Sequence, residues 1–190
     1  MATLVSVSVH RSLSVRNDRS SLILQQDDLY GNDRPSRPDQ VATRLNQLYP
    51  MSSNDGHFMT LVYASIDTQS LQFDYCAAGH PGPVVARRGE AVRSLETGGL
   101  PIGVVPDPDY ETTTMQLIAG DRIYLYSDGL MEVSNPDGEM FGRQQIEETI
   151  DRCREISIED SSDALIDAAV AWQRSDQFAD DLSLLAVEVP

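Results

Sequence analysis

Residues 119–133 have the sequence AGDRIYLYSDGLMEV, which is the most informative stretch of the chain. A tight turn at Gly120-Asp121 leads into a run of β-branched and aromatic residues that is typical of a strand. We expect this strand to end at Asp128-Gly129, which places a carboxylate at the strand tip. Gly129 would allow a sharp turn or the close approach of a ligand. A carboxylate in this position can bind a hard divalent cation, but Asp-Gly is also a common turn dipeptide.

Other segments on both sides of this stretch also have strand character. They are rich in β-branched and aromatic residues and are separated by short Gly, Pro and Asp turns, a pattern typical of an antiparallel meander. The upstream segments are FMTLVYASID (58–67), SLQFDYCAAG (70–79), GPVVARRG (82–89) and ETTTMQLI (111–118). The terminal segment LSLLAVEV (182–189) is apolar enough to lie in the middle of a sheet.

Three segments show helical spacing of apolar residues, at about 38–48, 143–153 and 161–172. Asp39 is in position to cap the first of them. Residues 14–37 are mostly polar and predict a loop that is interrupted by an apolar patch at 22–24. The first 13 residues alternate valine and serine, which fits a strand, but their apolar residues could also share one face of a helix. The whole chain is therefore predicted to be α+β.

Length and composition predict one folded domain over residues 1–190, because 41% of the 190 residues are hydrophobic. A net charge of -16, without a basic cluster, argues against nucleic acid as a partner. Cys76 and Cys153 form no CxxC or Cys/His pattern, so neither a disulfide scaffold nor a zinc site is expected. No export leader or membrane-spanning run is visible in the sequence. We expect a cytoplasmic protein without membrane contact.

A second candidate site is the acidic pair Asp180-Asp181, which lies directly before the terminal strand. Two adjacent carboxylates repel each other unless a cation or hydrogen-bond donors compensate them. If the terminal strand lies beside the strand of Asp128, then Asp128 and Asp180 can converge on one Mg²⁺ or Mn²⁺ ion. The alternative is a solvated loop, and for Asp181 we favour that alternative or a local capping role.

His80 lies in AAGHPGPVV between two predicted strands, where a His-Pro pair flanked by glycines is more often a turn than a catalytic base. No GxSxG nucleophile pattern accompanies it, so a catalytic triad is not supported. His10 and His57 are equally isolated.

Five blocks in a fixed order resemble the SpoIIE-type branch of the metal-dependent bacterial protein serine/threonine phosphatases. They are FMTLVYASID, FDYCAAGHPGPVV, GGLPIGV, AGDRIYLYSDGLMEVSNPDGEMFG and FADDLSLLAVEV. The resemblance covers roughly residues 38–190. It implies two antiparallel sheets packed as a sandwich with helices outside, and a two-metal centre at one end of the sheets.

The resemblance also assigns roles to individual residues. Asp128 matches the strand-end aspartate of the family's DGL block, and Asp180 matches the first aspartate of its terminal DD pair. Both would be metal ligands and thereby catalytic, with Mn²⁺ or Mg²⁺ as cofactor. His80, Gly79, Gly129 and Asp181 are the candidates for shaping the site. The family's loop-forming glycines correspond to Gly79, Gly98, Gly99 and Gly103.

The chain departs from the family pattern at its start. The family carries a GGDxxD-like strand and a DxSGHG-like turn upstream, and neither motif occurs in these 190 residues. We therefore expect an N-terminally incomplete domain in which Met1–Leu13 is the helix that follows the SGHG turn. Such a chain should bind metal weakly and hydrolyse little. Its uncovered strands should favour a homodimer or larger assembly through Val5, Val7 and Val9.

The resemblance implies a phosphatase that uses two divalent metals and a bridging water and needs no phosphoenzyme. Its expected substrate is a phosphoserine or phosphothreonine regulatory protein, an antagonist of an anti-sigma factor. Two alternatives remain open. One is a non-catalytic phosphoprotein-binding pseudophosphatase, and the other is an unrelated acidic α+β protein whose Asp-Gly and Asp-Asp pairs are turns.

Overall fold

A computed structural model describes residues 13, 21–25, 34–96 and 98–190 of the chain. Contacts divide the chain into two compact units, Met1–Gly79 with Thr97–Gln116 and His80–Glu96 with Leu117–Pro190. In chain order the elements are β1 (Leu24–Gln25), β2 (Arg34–Pro35), α1 (Pro38–Leu48), a 3-10 turn (Met51–Ser53), β3 (Leu61–Ile66), β4 (Gln72–Ala78), β5 (Val84–Ala86), β6 (Arg93–Ser94), β7 (Thr113–Gln116), β8 (Arg122–Tyr126), α2 (Asp128–Met131), α3 (Gly142–Arg152), α4 (Ile158–Gln173) and β9 (Leu184–Glu188).

The first unit contains a three-stranded antiparallel sheet in the order β3-β4-β7 and the helix α1. Pro38 occupies the start of α1, where a missing N–H costs no helical hydrogen bond. Val41 and Leu45, one turn apart, are fully buried. They pack in a cluster with Cys76 and Ala78 of β4, and burial raises the pKa of the Cys76 thiol to about 11.

The second unit contains a four-stranded antiparallel sheet in the order β6-β5-β8-β9 and the helices α2, α3 and α4. Tyr124 of β8 is fully buried, and its hydroxyl lies 2.8 Å from that of Ser161 on α4. Ser157 caps α4, because its Oγ accepts the N–H of Asp160 at 3.0 Å. One hydrophobic cluster joins the sheet to these helices.

The predicted α+β class, with two antiparallel sheets and helices, is confirmed. All six predicted strands and all three predicted helices are present, whereas the short β6 and α2 were not predicted. Two details of connectivity were wrong. The sheets are not simple meanders, because β7 returns to β4 and β8 returns to β5. In the described part of the chain β9 is an edge strand rather than a central one, and Leu185 is 56% exposed.

The predicted cap of α1 was also wrong. Arg37 is the N-cap residue and forms no side-chain cap, while Asp39 lies within the first turn. The Asp39 carboxylate instead accepts a hydrogen bond from Thr112 Oγ at 2.7 Å and pairs with Arg37. The helix is therefore tied to the chain before β7.

The N-terminal predictions concern residues that mostly lie outside the described part. The predicted helix Met1–Leu13 lies outside the described residues except for Leu13. The same holds for His10 and for Val5, Val7 and Val9, which were predicted to support self-association. Within the predicted 14–37 loop, Leu24–Gln25 and Arg34–Pro35 pair as a two-residue antiparallel ladder. Among the described residues, no helix is both long and apolar enough to cross a membrane.

Candidate functional site

The two aspartates singled out by the sequence lie at the same end of adjacent strands. β8 and β9 pair antiparallel, with Tyr126 opposite Leu184. One step further, the Ser127 N–H donates to the carbonyl of Ser183 at 2.9 Å. Asp128 lies two residues after the end of β8 at Tyr126, and Asp180 lies four residues before the start of β9 at Leu184, so the register brings both to one end of the strands. Both side chains are exposed.

A side-chain clamp at Ser127 joins the two strand ends. Its Oγ donates to the carbonyl of Asp181 at 3.2 Å and accepts the N–H of Ser183 at 2.9 Å. The Ser127 hydroxyl thus binds two backbone groups of the segment between Asp180 and β9 and holds this segment next to the end of β8. Ser127 was not among the predicted site residues, although its position directly before the strand-end aspartate was a signal that could have identified it.

Gly129 is required for a close approach, as the sequence suggested, but the approaching group is protein backbone. A Cβ atom built on Gly129 would lie 2.6 Å from the carbonyl oxygen of Asp181. That separation is too short for any real Cβ contact, so a side chain here would push the two strand ends apart. The contact of Asp181 at this position is made by its backbone carbonyl and not by its side chain.

The short helix α2 holds the backbone of Asp128. Asp128 is its first residue, and the Asp128 carbonyl accepts the N–H of Glu132 at 3.0 Å. Leu130, in the same turn, is fully buried in the cluster that joins the sheet to the helices. The Asp128 backbone is therefore anchored to the core while its carboxylate faces solvent.

Asp180 is organised locally. Its Oδ1 accepts the N–H of Asp181 at 2.8 Å, which turns the chain before β9. Asp128 has the equivalent arrangement, because its Oδ1 lies 3.1 Å from the N–H of Gly129. In each case one carboxylate oxygen contacts the next backbone amide.

His80 has a turn-forming contact. Its Nδ1 lies 2.9 Å from the carbonyl of Pro81, and since a carbonyl can only accept, Nδ1 donates there. Hydrogen bonds among the described residues do not join His80 to Asp128 or Asp180. His57 makes a similar local contact with the carbonyl of Asn54. The His80 contact agrees with the turn expected for this segment, and the His57 contact is equally local.

The predicted loop glycines separate into two groups. Gly79 has a φ of +66°, and a Cβ there would lie 2.5 Å from Pro101 Cγ, while a Cβ on Gly99 would lie 2.5 Å from the carbonyl oxygen of Ala77. Gly103 likewise has a positive φ and is packed against the backbone of Tyr49. A Cβ added to Gly98 would meet no atom of the described residues beyond its chain neighbours within 4 Å, so these residues do not sterically require glycine there.

The donor set fits a single hydrated divalent cation better than a two-metal centre. Carboxylate oxygens suit Mg²⁺ and Mn²⁺, which keep several waters when only one or two protein carboxylates bind them. Among the described residues, however, no group of three or more His, Cys, Asp or Glu side chains is placed to hold a metal ion. Asp128 and Asp180 are therefore candidate ligands only, and the described residues supply no third carboxylate, histidine or cysteine beside them.

A cavity of about 210 Å³ opens beside these residues. Gly129 and Asp180 belong to its wall, and Val133 and Phe178 supply apolar surface. Its remaining lining residues are Glu132, Ser134, Gln173, Gln177 and Ala179. The cavity was not predictable from the sequence, because its wall combines α2 with the chain that follows α4.

The opposite end of the same strands has a different character. Asp121, with no exposed surface, accepts hydrogen bonds from Arg87 Nε at 2.9 Å and Arg87 Nη2 at 2.6 Å. Hydrogen bonding to Asp121 raises the pKa of Arg87 above its usual range. A cavity of about 330 Å³ at this end is lined by Arg87, Arg88, Arg122 and Arg154. Each of these arginines pairs with a carboxylate, which makes the cluster a self-compensated structural network.

Comparison with known proteins gives consistent matches. A family model described as "Stage II sporulation protein E (SpoIIE)" matches residues 4–190. Phosphoserine phosphatase RsbU of Bacillus subtilis (strain 168) is 34% identical over 102 residues, covering 53% of this chain and 30% of RsbU. The chain therefore spans under a third of the length of that relative.

Two solved structures show the same fold. The SiaA-PP2C domain of Pseudomonas aeruginosa matches with a TM-score of 0.70 and 20% identity, over 80% of this chain and 61% of that chain. The Mn-presoaked phosphatase domain of the cell fate determinant SpoIIE from Bacillus subtilis matches with a TM-score of 0.54 and 22% identity, over 68% of this chain and 56% of that chain. At these identities the two matches establish the fold.

Proposed function

The chain belongs to the SpoIIE family of PP2C-like phosphatases, and on that premise we propose that Asp128 and Asp180 supply metal ligands for phosphoserine or phosphothreonine hydrolysis. The single observation that best supports this proposal is the register of β8 and β9, which brings two exposed carboxylates to one strand end.

Mn²⁺ or Mg²⁺ is the proposed cofactor, and Asp128 and Asp180 would hold it. When bound, a divalent cation supplies positive charge for phosphoryl oxygens and lowers the pKa of water, so that no protein nucleophile is needed. The chain's own residues position the ligands: Ser127 clamps the two strand ends, and Gly129 lets the Asp181 carbonyl approach. With two carboxylates and no third ligand described, we expect weak metal binding and little hydrolysis by these 190 residues.

The proposed substrate is a phosphorylated regulatory protein in bacterial cytoplasmic signalling, an antagonist of an anti-sigma factor. Two observations support a phosphoserine substrate in general terms. RsbU bears the name phosphoserine phosphatase and is 34% identical over 102 residues. The candidate site also offers carboxylates without a Cys or activated Ser nucleophile, which suits hydrolysis assisted by a metal ion.

The test combines metal binding with turnover. Mn²⁺ binding to the 190-residue chain is measured by titration calorimetry, for the parent protein and for Asp128→Asn and Asp180→Asn. Hydrolysis of a phosphoserine peptide is followed by phosphate release in the same samples. Binding that both substitutions weaken supports the site. Binding that neither substitution alters would show that the ion is held elsewhere.

A second candidate function is a phosphoprotein-binding module without catalysis. It is favoured by one observation, the lack of a third acidic or histidine ligand among the described residues. Metal-dependent binding of a phosphoserine peptide without phosphate release would select this second function. Robust turnover by the same protein would exclude it.

Self-association is also part of the proposal. β9 is an edge strand in the described part of the chain, and Leu185 and Val187 are exposed on one of its faces. An exposed apolar edge is a template for pairing with another chain. Light scattering at micromolar concentration tests for a homodimer or larger assembly, and a compact monomer would contradict it.

A further inference from the structure

The cavity beside Asp180 has the size of a single side chain. Its volume of about 210 Å³ is below the ~300–1,000 Å³ that is typical of small-molecule pockets. Because Gly129 and Asp180 belong to its wall, it opens directly beside the candidate metal ligands. A residue close to the reacting phosphoserine of a substrate protein would therefore reach it.

The chemistry of the wall specifies a basic residue. Glu132 and Asp180 are exposed carboxylates, and none of the described residues that line the cavity carries a cationic side chain. Val133, which is 5% exposed, and Phe178 contribute apolar side chains to the same wall. Lysine and arginine combine an aliphatic stem that packs on apolar surface with a charged head that needs a carboxylate. The amide groups of Gln173 and Gln177 add further polar partners.

Local hydrogen bonds hold the wall in shape. Glu132 ends α2, and its carbonyl accepts the hydroxyl of Ser134 at 3.1 Å. On the other side, the carbonyl of Ser175 accepts the Gln173 side-chain amide at 2.7 Å, and its Oγ accepts the N–H of Gln177 at 3.1 Å. The cavity is therefore built from two tied turns, both within the second unit.

We propose that this cavity is a specificity subsite that takes an arginine or lysine side chain close to the phosphoserine of the substrate protein. This inference rests on the proposed function for its link to phosphoserine. Charge complementarity supports it, since the chain has a net charge of -16 and the wall carries two carboxylates. Glu132 is the main specificity-determining residue, because Asp180 is shared with the proposed metal site.

The experiment uses fluorescent phosphoserine peptides that differ only in one neighbouring residue. Arg, Ala or Glu is placed in turn at each of the three positions on either side, and each peptide has an unphosphorylated counterpart. Affinity for the 190-residue chain is measured by anisotropy at low salt with Mn²⁺. At the best position we expect Arg to bind about threefold tighter than Ala, as for one partly exposed ion pair, and Glu to bind more weakly than Ala.

Three variants connect that preference to the cavity. Glu132→Gln should reduce the Arg preference to nearly none, and Gln177→Glu should increase it. The matched control is Glu148→Gln, which removes the same charge from an exposed position on α3 outside the cavity and should leave the preference unchanged. Circular dichroism verifies that each variant is folded.

The outcomes separate the subsite from the proposed function. Equal binding of all phosphopeptides, or an Arg preference that survives Glu132→Gln, overturns the subsite and leaves the proposed function standing. Glu132-dependent binding of Arg peptides without any effect of phosphate supports the cavity as a basic-residue site and contradicts the proposed function. Absence of binding by any peptide overturns the subsite, whereas the proposed function is judged separately by the Mn²⁺ titration of Asp128→Asn and Asp180→Asn.

Discussion

The two ends of the β8–β9 pair use charged residues in opposite ways. At one end Arg87 and Asp121 form a buried, doubly hydrogen-bonded pair, and Arg122 pairs with Glu188 at 2.6 Å. At the other end Asp128 and Asp180 are exposed, and the ion pairs of the described residues include neither of them. The same two strands thus carry a compensated network at one end and uncompensated carboxylates at the other.

This difference separates structural charges from candidate functional ones. A buried charge without a partner is costly, so charges that serve stability are found with their partners in place. Exposed carboxylates of like sign at one strand end contribute nothing comparable to folding. Their positions are nevertheless fixed by Ser127, Gly129 and the buried Leu130. Fixed geometry combined with uncompensated charge is what a cation-binding site needs.

The largest expected effect is at the structural end. Asp121→Ala leaves Arg87 without its buried partner and should lower the free energy of unfolding by about 3–5 kcal/mol, as for other broken buried pairs. Urea denaturation measures this change. Arg88→Gln is the control, because Arg88 and Glu155 form an exposed pair and its loss should cost less than about 1 kcal/mol. Equal effects of the two changes would show that burial does not distinguish the pairs.

Next in size is Gly129→Ala. The added Cβ would lie 2.6 Å from the Asp181 carbonyl oxygen. Relief of this overlap should cost about 1–3 kcal/mol of stability and should weaken Mn²⁺ binding, because the two strand ends move apart. Gly98→Ala is the control, since no atom of the described residues beyond its chain neighbours lies within 4 Å of the added carbon. Urea denaturation and calorimetric titration with Mn²⁺ test both variants.

Asp128→Asn and Asp180→Asn should separate binding from stability. Each should weaken Mn²⁺ binding about tenfold or more, a loss of about 1.4 kcal/mol, while stability changes by less than about 0.5 kcal/mol because both side chains are exposed. The control is Asp163→Asn, an exposed aspartate of α4. A large loss of stability in Asp128→Asn or Asp180→Asn would show that these carboxylates stabilise the fold and are not primarily metal ligands.

The smallest expected effect is at the clamp. Ser127→Ala removes the hydroxyl that contacts Asp181 and Ser183, and should cost about 1 kcal/mol of stability with a several-fold weaker affinity for Mn²⁺. Ser127→Thr keeps a hydroxyl and should restore both. Ser94 lies on β6 of the same sheet and donates a 2.6 Å hydrogen bond to Glu147 on α3, so Ser94→Ala should lower stability without changing metal affinity. Equal metal affinity in the two alanine variants would contradict a positioning role for Ser127.

Strands and helices were predictable because their signals are local. Alternating or continuous apolar runs identified all six longer strands, and the helical spacing of Val41 and Leu45 located α1 at Pro38–Leu48. The errors concern residues whose state depends on distant partners. Asp39 has the chemistry of a cap but hydrogen-bonds to Thr112, which lies far along the chain. β9 has an apolar sequence but is the edge strand of its sheet as far as the described residues extend.

By itself, the sequence determined the class of fold and the family, and it singled out Asp128 and Asp180 as candidates, because strand periodicity, turn residues and short motifs are all properties of neighbouring residues. Only the tertiary structure showed which groups from other parts of the chain lie next to these aspartates. It showed that Gly129 makes room for the Asp181 carbonyl, that Ser127 joins two strand ends, and that α2 and the loop after α4 enclose a cavity. The physical reason is that a site is formed by contacts between residues about 50 positions apart, such as Ser127 and Asp181, whereas a sequence pattern records only what is adjacent.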